Sequence, residues 1–171
     1  MAHRVLVALL LIGSAARAQA AFGSRGQVVP FGGIGYSHTS AGAVDFNSIS
    51  LAPGAMWFPT NNVAIGGQVV YAFNDFGASV HSLGFEPLVG FGVPLDDHLA
   101  FFPRVGMQFL WAFASGGGSS NRVAMDGFAP LLFIPAPHFY IGFGPRMYVD
   151  VTSPGATQKS FGLSSEIGGY F

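Results

Sequence analysis

The sequence predicts an all-β chain: a closed, eight-stranded antiparallel up-and-down transmembrane β-barrel, preceded by a cleaved signal peptide. Three observations predict it. A two-residue alternation of bulky and small side chains recurs in eight segments after residue 20. Tight, proline-bearing connectors alternate with longer polar or glycine-rich ones. The 171-residue chain is 50% hydrophobic but only 9% charged, against about 25% charged in an ordinary soluble domain. Beyond the N-terminus it has no apolar run of the roughly 18 residues that a membrane helix requires.

The elements follow in order. His3 and Arg4 precede an apolar run from Val5 to Ile12, and Ala18-Gln19-Ala20 supplies the small residues of a processing site, so residues 1–20 read as a signal peptide cut after Ala20. The rival, a short buried helix, leaves the basic start and the A-x-A ending unexplained. One domain, residues 21–171, remains. Its strands are expected over 27–38, 47–58, 63–73, 81–93, 99–111, 122–134, 139–151 and 159–171, lengths close to the roughly 9–11 residues of a tilted membrane strand. The connectors PTNN, PLDDH and PAPH are tight, whereas TSAGAVDF, NDFGASV, AFASGGGSSN and TSPGATQ are longer, the asymmetry of an outer-membrane barrel.

Alternation alone leaves open which face points outward. In 83–93, Leu83, Phe85, Pro87, Val89, Phe91 and Val93 oppose Gly84, Glu86, Leu88, Gly90 and Gly92. In 99–111 a bulky face from Leu99 to Trp111 opposes Ala100, Phe102, Arg104, Gly106, Gln108 and Leu110. A soluble lipocalin-like barrel would turn the bulky face inward around a ligand. The interior of an eight-stranded barrel is just wide enough for side chains to fill, so the bulky face is assigned to lipid, with Gly, Ala, Ser and a few charges inside. Asp126, in phase with Phe128 and Pro130, is then expected to point outward at a rim. Trp57, before a tight turn, and Trp111, before a long loop, are expected in opposite interfacial girdles. Pro30, Pro53, Pro87, Pro103, Pro130 and Pro145 conflict with this reading, because a closed barrel has no edge strand to tolerate the missing donors.

The ending SSEIGGYF sets Phe171, Gly169, Ile167 and Ser165 on one face and Tyr170, Gly168, Glu166 and Ser164 on the other. With the leader, the eight segments and the connector asymmetry, this resembles the small bacterial outer-membrane β-barrel family typified by outer membrane protein A and outer membrane protein X. The resemblance implies a Gram-negative outer-membrane location reached through the periplasm, contact with outer-membrane lipid and lipopolysaccharide, and Phe171 read as an assembly signal by the barrel-assembly machinery. It also implies a monomer with a polar interior and no wide pore. Residues 21–171 are expected to form the barrel without an added peptidoglycan-binding domain, and with loops too short for a protruding strand fence.

Four inward charges are expected to form two pairs, Glu86 with Arg104 and Arg146 with Glu166, acting as a structural plug or as a gate. The leading function is an envelope-structural or limited-permeability, porin-like role without enzymatic activity. The alternatives are a surface receptor using ASGGGSSN and a lipid A-modifying enzyme. For the last, His38-Thr39-Ser40 has the His-x-Ser spacing of the lipid A deacylase family, but Ala41 stands where that family has asparagine; His81 and Ser82 near Glu86 are a weaker cluster. His38, His81, His98 and His138 fall on separate connectors without ligand spacing, so no metal is expected. No cofactor is indicated. The chain has no cysteine, and no basic cluster that would favour nucleic acid.

Overall fold

The computed structural model describes residues 21–41, 44–75, 79–152 and 159–171, with backbone alone for 36–41, 44–46 and 48. The expected signal peptide, residues 1–20, lies outside the described residues. Eleven strand segments form one antiparallel sheet: β1 (Val28–Ala41), β2 (Val44–Trp57), β3 (Val63–Asp75), β4 (Ser79–Phe91), β5 (Val93–Pro94), β6 (Leu99–Phe101), β7 (Arg104–Ala114), β8 (Ser119–Phe128), β9 (Leu131–Ala136), β10 (Phe139–Asp150) and β11 (Lys159–Gly169). β4 with β5, β6 with β7 and β8 with β9 are single staves interrupted once, so eight staves run up and down in chain order. Pairing of β11 with β1 closes the sheet on itself. Both described termini lie at one end of the barrel, called here the closed end.

The prolines explain the interruptions. Pro103 and Pro130 fall in the gaps between β6 and β7 and between β8 and β9, yet the register is the same on both sides: Arg104 faces Phe128 before the break and Phe101 faces Leu131 after it. In an antiparallel ladder, opposed residues exchange two bonds, and proline can supply one of them through its carbonyl. Pro103 accepts from the Phe91 amide at 2.9 Å, Pro130 from Phe102 at 3.0 Å and Pro145 from Ala129 at 3.0 Å. Each of these prolines forfeits one bond and keeps the register. Pro53 and Pro87 keep partners on one side, Gly32 and Gly67, while the ladder on the other side is interrupted. Pro30 keeps Ala55 on β2.

Alternation in burial follows the expected phase. On β4 the odd positions from Leu83 to Phe91 are exposed, and the even positions from Gly84 to Gly90 are buried. Two assignments change. Asp126 is buried, in phase with the buried Phe128 and Pro130, so it points into the barrel and not to an outer rim. The interior also holds large rings. Phe22, Phe58, Phe102, Tyr140 and Tyr170 pack at the closed end with Val29, Met56, Leu132 and Ile134; the expected phase had put Phe102 and Tyr170 on the inward face, but the expected filling of small residues and charges did not include a cluster of rings.

At the opposite, far end the strands run further than side-chain alternation indicates. β1 reaches Ala41, β2 begins at Val44, and β8 begins at Ser119 inside the stretch expected to be a loop. Backbone pairing does not require an apolar face, so it persists where side chains turn polar on both sides. ASGGGSSN is accordingly a tight turn: Ala114 N–H donates to the Gly118 carbonyl at 3.2 Å, and Gly117 (φ 82°) and Gly118 (φ 129°) take the positive-φ positions open to glycine.

Candidate functional site

The interior is layered along the barrel axis. At the closed end, the segment before β1 folds back under the barrel. Gln27 Oε1 accepts from the amides of Gly23 (2.9 Å) and Ser24 (3.2 Å), Gln27 Nε2 donates to the Ala21 carbonyl (3.0 Å), and Asn62 N–H donates to the Gly23 carbonyl (2.7 Å). This strap inserts Phe22 edge-on among Phe58, Phe102, Tyr140 and Tyr170, with ring centroids 5.7, 5.1, 6.0 and 5.6 Å away, the T-shaped geometry aromatic pairs favour. The result is an apolar stopper.

Directly above it lies the Arg104 guanidinium, within 4.5 Å of the Phe31 ring centroid, 5.0 Å of Phe102 and 5.2 Å of Phe128. Such a cation over ring faces is attracted by their quadrupoles. Arg104 Nη2 donates to Glu166 Oε2 at 2.5 Å, with both side chains buried. Glu86 is held differently: its Oε2 accepts from Gln68 Nε2 at 2.7 Å and from Gln108 Nε2 at 3.2 Å. Arg146 grips Asp126, donating from Nε to both carboxylate oxygens and from Nη2 to Oδ2. Glycines make room for these groups. A Cβ on Gly106 would stand 2.5 Å from Glu86 Oε1, and one on Gly142 would stand 2.9 Å from Glu166 Cγ.

All four expected charges therefore point inward, but neither expected pair forms. Register is the reason. Gly90 faces Arg104, and the β4–β7 ladder brings Gln108 to Glu86; on β10 and β11, Gly162 faces Arg146 and Gly142 faces Glu166. The acids and bases of neighbouring staves lie at different heights, so Arg104 reaches across the interior to Glu166, and Arg146 reaches diagonally to the Asp126 that was expected outside. Gln68 and Gln108 were not singled out by the sequence; their inward phase beside a buried carboxylate was the available signal.

A cavity of about 30 Å³ lies among these groups, lined by Glu86, Arg104, Asp126, Arg146 and Glu166. That is room for about two water molecules. Glu86 Oε1, Arg104 Nη1 and Glu166 Oε1 are buried without a protein partner, and a buried polar group of this kind normally takes water as its partner. Toward the far end a larger space of about 350 Å³ opens above Arg146, lined by Ser50, Tyr148, Ser160 and Ser164. Arg122 Nε and Asp150 Oδ2, 3.0 Å apart, stand near the far end.

The remaining expected residues fall elsewhere. Trp57 closes β2 and Trp111 lies near the far end of β7; both project outward, 47% and 40% exposed, at opposite ends of the wall. Phe171 exchanges both backbone bonds with Val28 (3.0 Å each), and its ring stacks on His138 at 5.6 Å. The cluster of His81, Ser82 and Glu86 is split by the wall. His81 faces out and meets the Tyr71 hydroxyl at 3.0 Å, whereas Glu86 is inside. His81 stands in β4 rather than on a connector. His98 Nδ1 lies 3.1 Å from the Ile134 carbonyl, and His138 Nδ1 lies 2.7 Å from that of Tyr170. The backbone of His38–Ser40 runs in β1, also not on a connector, and their side chains lie outside the described residues.

No protein-family model matches the chain, and no curated protein matches it in sequence. Among solved structures it is similar to the N-terminal β-barrel domain of Pseudomonas aeruginosa OprF, with a TM-score of 0.52 at 12% identity over 86% of this chain and 98% of that one. A de novo designed transmembrane β-barrel gives a TM-score of 0.44 at 14% identity over the same shares. The likeness to the OprF domain shows the fold: a closed, eight-stranded antiparallel β-barrel.

Proposed function

We propose that the chain is an integral outer-membrane protein of a Gram-negative envelope, in which it has a structural, non-enzymatic role and a barrel closed to solutes. The interior stopper carries this reading: five interlocked rings close the barrel at one end and are capped by the Arg104–Glu166 pair, where the cavity among the charges is only about 30 Å³. The wall supports the membrane location. Ile65, Phe85, Val89, Val105, Phe133, Ile141, Phe143 and Met147 all project outward, each between 46% and 55% exposed. In water this would be an apolar surface far beyond the few hundred Å² usual for a soluble monomer, whereas in lipid it is the required surface.

On this reading the closed end is periplasmic, Trp57 and Trp111 anchor the two interfaces, and Phe171 serves as both the closing rung and the assembly signal. Outer-membrane lipid and lipopolysaccharide surround a monomer, delivered by the barrel-assembly machinery after removal of residues 1–20. Planar-bilayer recording on refolded protein tests the function. The expected trace is silent, and steady ohmic conductance from a barrel verified as folded by heat-modifiable gel migration would replace the structural role with a permeability role.

A further inference from the structure

The seam between the first and last strands is only half closed. β1 pairs with β2 along its length, from Val28 opposite Trp57 to Ala41 opposite Val44, and β11 pairs with β10 from Gly169 opposite Phe139 to Lys159 opposite Val149. Against each other, β1 and β11 hold only at the closed end. Val28 and Phe171 exchange backbone bonds, and Phe31 opposite Gly168 and Gly32 opposite Ile167 continue the same register. Among the described residues no pair follows. Continued, that register would oppose Ile34 to Ser165 and Tyr36 to Leu163. The outward side chains beside the gap are among the barest of the described residues, with Ile34 76%, Leu163 68% and Phe161 78% exposed, against 47% for Ile141 one strand away.

Behind the gap lies the space of about 350 Å³ above Arg146, within the roughly 300–1,000 Å³ of small-molecule sites. Phe161 lines it although its alternation places it on the outer face, so the space reaches the wall at the seam. An unpaired strand edge is not tolerated against hydrocarbon except where it lines a hydrated cavity or is covered by protein. The gap and the cavity therefore account for each other.

The chemistry of the cavity selects an occupant. Hydroxyls come from Ser50, Tyr148, Ser160 and Ser164, and the two strand edges add backbone donors and acceptors. Arg146 already spends Nε and Nη2 on Asp126. Glu86 and Glu166 lie below, so an anionic head would meet the surplus acid and a cationic head would meet Arg146. Uncharged oxygens suit the site. Outside, Ile34, Leu163 and Phe161 offer an apolar track parallel to the strands. We infer that the far half of the β1–β11 seam is a lateral portal through which a single-chain, uncharged amphiphile of the monoacylglycerol type inserts its polar head from the outer leaflet, leaving its acyl chain along these side chains.

This inference rests on the membrane reading, and its test separates the two. The protein is refolded into phosphatidylcholine nanodiscs, where failure to insert would count against the membrane reading. Native mass spectrometry of inserted barrels then follows binding of 1-lauroylglycerol, laurate and dodecyltrimethylammonium. The chain has no cysteine, so Tyr36→Cys with Leu163→Cys introduces a single disulfide that zips the seam. The expected result is 1-lauroylglycerol bound to the open barrel, with both charged analogues weaker by about tenfold. Oxidising the cysteine pair should weaken binding by a similar factor, and reduction should restore it. Ser164→Leu, on a residue that lines the cavity, narrows it without cross-linking the seam and should do the same. Inserted barrels that retain no 1-lauroylglycerol, that bind it equally when stapled, that bind the charged analogues as well, or that hold phosphatidylcholine in its place would overturn the portal.

Discussion

Removing one member of the Arg104–Glu166 pair should damage the barrel more than removing both. The side chains are 4% and 5% exposed, so Arg104→Met leaves a carboxylate with no cation against it, and Glu166→Leu leaves a guanidinium enclosed by the Phe31, Phe102 and Phe128 rings. Breaking a buried pair from one side costs about 3–5 kcal/mol, whereas apolar replacement of both members is often close to neutral. The three rings around Arg104 are themselves a fit environment for methionine. Arg104→Met/Glu166→Leu is therefore expected to be more stable than either single variant, with a coupling energy of about 2–3 kcal/mol. The same cycle on Arg104 and Glu86 should couple by less than about 1 kcal/mol, because Glu86 takes its hydrogen bonds from Gln68 and Gln108. Urea titration in lipid vesicles, read by the fluorescence of Trp57 and Trp111, measures both cycles. Stronger coupling in the Glu86 cycle, or additive losses in the Glu166 cycle, would refute the cross-barrel pairing and the register behind it.

Other expectations follow from the same layers. Phe22→Ala removes the central ring of the stopper and should cost about 3–5 kcal/mol in the same titration, while the bilayer trace stays silent because Phe58 and Phe102 still stack at 5.8 Å across the mouth. Val89→Arg sets a cation on the lipid face and should cost about 2–4 kcal/mol near the midplane, by equilibrium refolding into vesicles. Gly106→Ala, directed at Glu86, should cost about 1–3 kcal/mol by overpacking and should be relieved by Glu86→Gln no more than partly, because the crowding includes the Leu88 side chain at 2.7 Å. Deleting Phe171 removes both backbone bonds to Val28 but leaves the charge cluster intact, so cell fractionation should find the protein in the periplasm or degraded; normal outer-membrane yield would count against an assembly role.

Strand phase was legible because it depends only on the two-residue period, and that period holds even where its meaning was misjudged. Asp126 and Phe128 were placed correctly relative to each other and wrongly relative to the wall. The error came from treating bulk as a marker of the lipid face. A ring is costly inside a narrow barrel only where the staves carry large residues at the same height, and around Phe102 the inward neighbours include Gly90, whose missing Cβ would stand 3.0 Å from that ring. Sequence shows each inward residue but not its height, which depends on register and stagger. Pairing among the charges was illegible for that reason. The prolines misled in the opposite direction: counted as lost donors they argued against closure, but opposed as they are to Phe91, Phe102 and Ala129, three of them still provide a rung.

Arg104 shows why the two interior layers belong together. A buried guanidinium is stabilised only if its charge is met and its faces are covered, and these demands pull in different directions along the axis. Glu166 meets the charge from above, in the layer where Gln68, Gln108 and the small cavity can hydrate the carboxylates. The rings cover the faces from the side and below, where water is excluded. Exchanging the order, with rings above and carboxylates below, would strand the acids among Val29, Met56 and Leu132, which offer no donors. The position of Arg104 beside the break at Pro103 permits this contact: the chain leaves β6 with Phe102 committed to the stopper and resumes at Arg104 in the charge layer. Pro103 keeps its carbonyl bond to Phe91, so the change from apolar to ionic interior occurs within three residues and the wall loses one hydrogen bond there.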